Sequence, residues 1–265
     1  LVVWDAPRRR GTVLGSDGGF GRVFSIPSLG VGFVFIFDSW DDGSLLGVAV
    51  KGIMADSAQT GIQRVNALYF RFGLAGQVDS IGRFFDGESF VSSRYGLDVI
   101  SMPFGFRAVR AAHGTDLYYG SSKTYEIRIL STEGDLKRVI RLMKPPRPLS
   151  DQQIDRYVER QLASETDPDR IRRMRALYEE VPFHDVLPAY GNLEVDTEGN
   201  LWVADYALAG ESVTSWRVFD KEGTMLGKID APSELTIFEI GADYILGKSV
   251  DSLGIERVVL LRLRK

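Results

Sequence analysis

The chain has 265 residues, with 36 acidic against 32 basic side chains for a net charge of −4, and it has no cysteine. That length can bury a sizeable core as one domain. The charge balance gives no strong pull toward nucleic acid or an anionic membrane, and the lack of cysteine excludes disulfides, thiolate catalysis and cysteine-held zinc.

In chain order, Leu1–Ala6 (LVVWDA) reads as a strand that aligns with Leu201–Tyr206, so that Asp5 matches Asp205. Arg8-Arg9-Arg10 falls in the next loop, and Ser16-Asp17-Gly18-Gly19 has the chemistry of a tight hairpin, with Gly supplying a positive φ. The hairpin that should precede it would fall before residue 1. The first unit is therefore expected to lack its first strand, and a start at Leu1 rather than Met agrees with N-terminal truncation.

The second unit spans Leu29–Phe84. Val31–Phe37 (VGFVFIF) is too short to cross a bilayer as a helix and reads as an inner strand buried on both faces. It pairs through Asp41-Asp42-Gly43-Ser44 in an inner hairpin, Val31–Val50. A polar insertion follows around Lys51–Gly61. Ala67–Phe72 and Val78–Phe84 are the expected outer strands, joined at Leu74-Ala75-Gly76-Gln77. Asp86–Met102 is expected as a long connection carrying Arg94, Tyr95 and Asp98.

The third unit, Phe106–Leu142, has strands near Phe106–Ala112, Leu117–Ser121, Tyr125–Leu130 and Leu136–Leu142. Its turns contain Gly114 and Gly134. Lys144–Pro148 is a proline-rich spacer that cannot continue a ladder. The apolar period then changes from strand-like to helical. Ser150 with Gln153 fits a capping box, and Ile154, Tyr157, Val158 and Leu162 form one stripe. Asp167 fits an N-cap with Pro168 at the first helical position. Ile171, Met174, Leu177, Tyr178 and Val181 form a second stripe that Pro182 ends. Residues 150–181 are thus expected as an αα-hairpin inserted between units and packed on the sheets.

Asn192–Ile229 is the most complete unit, with four strands and turns at Thr197-Glu198-Gly199-Asn200 and Lys221-Glu222-Gly223. Glu234–Lys265 is the fifth unit, turning at Ile240-Gly241-Ala242-Asp243. The chain stops before its outer turn, so the outer edge of Ile255–Arg264 is expected to lack a neighbour. Two families of glycine hairpins recur: Gly43, Gly114, Gly199 and Gly241 in one, and Gly18, Gly76, Gly134 and Gly223 in the other. A recurring unit of this kind marks a repeat architecture. The expected fold is all-β: residues 1–265 as one β-propeller of four-stranded antiparallel blades, about five blades present, the first and last incomplete.

The repeat VDTEGNLWVADY…WRVFDKEGTMLGKI resembles the NHL-type repeat of six-bladed β-propellers. The whole chain is similar to bacterial exported six-bladed propellers without an assigned activity. The resemblance implies a periplasmic or extracellular location, although no signal peptide is visible in the chain. It also implies a further blade before Leu1, and inter-blade connections gathered on one loop face around a central channel. It is specific for fold and weak for function.

Among candidate chemical groups, His113 and His184 are the only histidines. His113 reads as a polar turn residue. His184 falls just before an inner strand, at the expected channel mouth. Two histidines far apart with no His-x-His pair do not suggest zinc. Asp5 and Asp205 read either as a carboxylate pair or as acceptors for the amides of their following loops. There is no G-x-S-x-G elbow, and Gly18-Gly19-Phe20-Gly21 belongs to a hairpin rather than a phosphate loop.

The leading reading is a non-catalytic binding scaffold for a protein, peptide or glycan. Its contact residues would be Arg94, Tyr95, His184, Asp185 and Tyr190 on the loop face. Propellers of the gluconolactonase type hold calcium and hydrolyse lactones. In this chain the oxygen ligands for that alternative would come from Asp185, Asn192, Glu194 or Asp38, with no matching motif to carry over. A further alternative is RNA binding through loop cations at Arg8, Arg9, Arg10, Lys51, Arg94 and Lys123. The balance of charge favours solvated loops, and nucleic acid is not an expected partner. Arg170, Arg172, Arg173 and Arg175 read as the solvated face of the second helix.

Overall fold

The computed structural model describes residues 2–15, 17–27, 29–30, 32–52, 59–73, 75–251 and 253–263. Leu1 and Val31 at expected strand starts, most of the polar insertion (53–58), Ser16 and Leu74 in expected hairpins, and Arg264 at an expected strand end lie outside the described residues.

The chain forms five antiparallel sheets in succession. The first holds β1 (Val2–Asp5), β2 (Arg10–Leu14) and β3 (Phe20–Ser25). The second holds β4 (Phe33–Ser39), β5 (Leu45–Val50), β6 (Gly61–Phe72), β7 (Val78–Ser92) and β8 (Asp98–Ser101). The third is β9 (Val109–His113), β10 (Asp116–Gly120), β11 (Glu126–Ser131) and β12 (Leu136–Arg141). The fourth is β13 (Asn192–Val195), β14 (Leu201–Ala204), β15 (Val213–Phe219) and β16 (Met225–Pro232), and the fifth is β17 (Thr236–Ile240), β18 (Tyr244–Val250) and β19 (Glu256–Arg262). In every sheet the strands pair in chain order.

One hairpin geometry recurs. Gly18, Gly43, Gly76, Gly134, Gly199, Gly223 and Gly254 all have φ between 77° and 94°. Each donates its N–H to the carbonyl three residues earlier, as Gly199 does to Asp196 at 2.9 Å and Gly223 to Asp220 at 3.0 Å. That left-handed position closes the turn at no steric expense for glycine alone. Where the first turn residue is Asp or Ser, its side chain caps the loop amides. Asp196 accepts from Glu198 N at 3.0 Å and Asn200 N at 2.8 Å. The two expected families are therefore not distinct in geometry. Gly114 instead sits in a two-residue link between His113 and Asp116. Gly241 lacks a positive φ and closes its hairpin by donating to Tyr244 O at 2.9 Å. In the fifth sheet a Gly254 hairpin joins the second and third strands, β18 and β19.

The apolar core is divided between successive sheets. Ile26 of the first meets Val34 and Phe70 of the second, with Val2 and Trp4 packed against them. Trp40 and Tyr69 of the second meet Leu117 and Leu130 of the third. Val109 and Ile127 of the third meet Leu193 and Val203 of the fourth, and Trp202 and Trp216 of the fourth meet Ile237 and Ile245 of the fifth. Each large side chain so buried contributes about 1.5–3 kcal/mol. The leading strands β4, β9 and β13 lie side by side. Thr197 N continues that row by donating to Ile240 O of β17 at 2.9 Å. Trp4, Phe37 and Phe238 border one cavity of about 1000 Å³, so the fifth sheet returns to the first two. The arrangement is all-β and propeller-like.

The second sheet departs from the expected pattern. Asp86–Met102 is not a loop, because β7 runs on to Ser92 and pairs with β6 back to Gly61 and with β8. Glycines at positions 61, 87 and 96 masked the strand signal of this stretch. The first strand also differs from expectation. Phe33, Phe35 and Phe37 on β4 are 59 %, 40 % and 50 % exposed, so this strand is not buried on both faces. A run apolar on both faces reads alike whether one face is packed or turned to an opening.

Two helices interrupt the third-to-fourth sheet connection: α1 (Asp151–Ala163) and α2 (Pro168–Glu180). Ser150 and Gln153 make both bonds of a capping box, and Asp167 caps α2 by accepting from Asp169 N. Tyr157 and Tyr178 meet edge to face at 5.8 Å. Leu149 N donates to Asp185 O and Leu187 N to Arg147 O, each at 2.9 Å, which closes the base of the excursion. Leu177, Tyr178 and Val181 pack on Phe90 and Met102, so the excursion rests on the extended part of the second sheet.

Candidate functional site: a cleft beside the extended hairpin

The site begins with a bulge. The β6–β7 register slips between Val65 and Asn66, which pair with Gly87 and Phe85 and leave Asp86 unmatched. Bulges bend a strand and re-aim a side chain. Here Asp86 accepts from the Tyr69 hydroxyl at 3.0 Å and pairs with Arg110 at 3.1 Å. The Arg110 guanidinium lies 3.9 Å from the centre of the Phe37 ring. Two residues on, the Glu88 side chain is 8 % exposed. Its Oε2 accepts from Phe106 N at 3.0 Å and lies 2.8 Å from His184 Nε2. The His184 ring stacks on Phe106 at 4.5 Å.

Of these groups Asp86, Glu88 and Phe106 border a cleft of about 580 Å³, with Phe33 and Phe35 on one side, Glu88 and Val99 on another, and Arg107 and Tyr206 completing it. Arg107 donates to Gly191 O at 3.3 Å. Burial pushes the Tyr206 phenol up, opposed by Arg107 and Arg147. Arg107 and Tyr206 also border a neighbouring hollow of about 370 Å³ that holds Asn192 and Glu194. Burial pushes the Glu194 carboxyl up to about 7; an Asn192 hydrogen bond opposes this and the charge of Asp38 adds to it. Asp38 is likewise raised by burial, although it accepts from Ala112 N at 2.7 Å and Ser39 N at 2.8 Å.

The residues expected to form the ligand surface separate into three groups. Arg94 pairs with Glu180 of α2 at 3.3 Å and lies 5.6 Å from the Tyr95 ring, which is 53 % exposed. His184 stands beside the cleft through Glu88 and Phe106. The Asp185 side chain is exposed at the base of the helical excursion, where its carbonyl is used. Tyr190 is a correction: it is 0 % exposed, donates to Glu126 O at 2.9 Å and accepts from Ser122 N at 3.2 Å. It fills space against Gly120, where even a Cβ would meet its hydroxyl at 1.9 Å. Its place is in the core and not on a face open to a ligand.

Asp5 accepts from Arg8 N at 3.2 Å, as an Asx-type acceptor does. Asp205 does not follow it: its carboxylate is shared by Lys144 at 2.8 Å and by Arg217. For calcium, Asp38 and Glu194 lie in one electrostatic neighbourhood, yet Asp38 is already held by two amides. No group of three or more His, Cys, Asp or Glu side chains among the described residues could hold a metal ion.

Sequence reasoning missed Glu88, Asp86, Arg107 and Tyr206. They come from three separate stretches, and only the bulge and the sheet stacking bring them together. The alternation Phe33, Phe35, Phe37 was the one available signal.

No family model and no curated protein matches the chain. Among solved structures, a Bacteroides fragilis protein described as exported aligns over 100 % of this chain and 74 % of its own, at 11 % identity and a TM-score of 0.44. A luciferin-regenerating enzyme aligns over 99 % and 90 %, at 11 % identity and a TM-score of 0.30. Apo AztD from Citrobacter koseri aligns over 100 % and 70 %, at 12 % identity and a TM-score of 0.34. Among the described residues no helix is long and apolar enough to cross a membrane.

Proposed function

We propose that the protein is a binding scaffold without catalytic activity, whose protein, peptide or glycan ligand enters the cleft between β4 and the extended β6–β7 hairpin. The supporting observation is the pairing of exposed rings with occupied polar groups. Phe33 and Phe35 offer apolar surface, while Glu88 and Asp86 are each held by protein partners. Sites of this composition orient ligands through a few fixed polar groups on an apolar floor. In this reading His184 stands beside the cleft, while Arg94 and Tyr95 beside α2 and Asp185 at the base of the helical excursion provide outlying contacts. The scaffold is a six-bladed NHL-like propeller carrying an αα-hairpin, and it acts outside the cytoplasm. Recurrent glycine hairpins and stacked antiparallel sheets support the first statement, and the resemblance of the repeat supports the second.

The test is a screen of the purified chain on a glycan array and on a displayed library of linear peptides. Hits should lose at least about tenfold in affinity in Phe33→Ala/Phe35→Ala, the loss of roughly one buried aromatic contact. Hits that survive both substitutions, or an absence of hits on both libraries, would overturn the cleft as the binding site.

A further inference from the structure

A second hollow, of about 410 Å³, lies where the third and fourth sheets meet the base of the helical excursion. That volume is within the range of small-molecule pockets. Its lining comes from residues 123–126, 141–147, 186–189 and 205–206, and it shares only Tyr206 with the cleft. Both flanking sheets have all four strands.

The walls are fixed by the backbone. Ala189 N donates to Ser122 O at 2.8 Å, Leu142 N to Tyr125 O at 3.1 Å and Leu187 N to Arg147 O at 2.9 Å. Between these ties stand Pro145, Pro146 and Pro188, which have no N–H to donate. The segments therefore cannot zip together across the gap, and it stays open.

The charge in the hollow opposes that of the chain, which is −4 overall. Lys123, Arg141, Lys144 and Arg147 border it against two carboxylates, Glu126 and Asp205. Each carboxylate is already shared by two cations. Glu126 accepts from Arg128 and Arg141 at 2.9 Å each, and Asp205 from Lys144 at 2.8 Å and from Arg217. Lys123 makes no ion pair among the described residues; its ammonium lies 5.9 Å from the Phe106 ring. Met143 also borders the hollow and is 97 % exposed, so no core packing depends on it. Excess positive charge beside apolar surface is complementary to an anion with an apolar body.

We propose that this hollow is a second binding site, for a small organic anion in which an apolar body carries a carboxylate or a phosphate. The anionic group meets Lys123 and Lys144, and the body covers Met143 and the proline walls.

Isothermal titration at low salt tests this with three probes of one shape: 1-naphthoate, 1-naphthyl phosphate and the neutral 1-naphthylmethanol. At least one anion should bind one to one, at least about tenfold more tightly than the alcohol, and the tighter anion identifies the group preferred. Lys123→Met and Met143→Glu alter exposed side chains, and circular dichroism checks that both variants are folded. Each should weaken the anion roughly tenfold, while Phe33→Ala/Phe35→Ala should leave it unchanged. The proposal is overturned if neither anion saturates the protein below roughly 1 mM, or if the alcohol binds as well as both anions. Binding within about twofold of wild type in both single variants also overturns it. Loss of binding in Phe33→Ala/Phe35→Ala overturns it too, by placing the anion in the cleft.

Discussion

The fourth sheet and the second sheet start from the same hairpin and end differently. In the fourth, strands of four to eight residues turn at Gly199 and Gly223 and stop. In the second, β6 and β7 reach 12 and 15 residues, bulge at Asp86, and take on β8 and a helix. The regular sheet spends its polar groups on holding its own turns. The extended sheet uses them to hold neighbouring segments, and a cleft opens between them. Variation in one repeat thus builds a site while the others keep the frame.

The sharpest way to break the comparison is Asp196→Ala in the regular sheet. Asp196 is 1 % exposed and accepts from two loop amides, the Asn200 amide and Trp202 Nε1 at 3.0 Å. Its loss leaves a buried indole N–H without an acceptor and should lower global stability by about 3 kcal/mol, read by urea unfolding.

Glu88→Ala in the extended sheet should act smaller and more locally. It removes the acceptor for Phe106 N and the partner of His184. About 1–2 kcal/mol is expected, seen as faster hydrogen exchange over 86–92 with β13–β16 unchanged. Equal loss of protection in both sheets would erase the distinction.

The smallest effect concerns pH. Glu194 has its folded pKa raised to about 7 from an ordinary 4.5. Between these values the folded chain binds the proton more tightly than the unfolded chain, so this group's contribution falls as pH rises through that window and is fully present only below it. In Glu194→Gln that fall should vanish, measured as the difference between the two proteins' unfolding midpoints from pH 4.5 to 8. A constant difference would show that Glu194 is not held in a desolvated place.

Much of the frame was legible because glycine hairpins and period-two strands are local. The backbone of a left-handed turn needs glycine wherever it occurs, so Gly18, Gly76, Gly134, Gly199 and Gly223 announced themselves. So did the helix caps at Ser150 and Asp167. The long hairpin was not legible, because glycines inside β6–β8 imitate a loop. Tyr190 looked like a surface aromatic because nothing nearby in sequence shows that Gly120 leaves a hole for it.

By itself the sequence determined most strands outside the long hairpin, their order, the tight turns and the helical interruption, since each depends on backbone preferences within a few residues. Only the tertiary structure decided which apolar faces were packed and which, like Phe33 and Phe35, opened on a cleft. It also decided that Glu88 would meet His184 and Asp86 would meet Arg110. Those pairings join residues from different sheets and connections, and their energies exist only once stacked sheets remove water from between them.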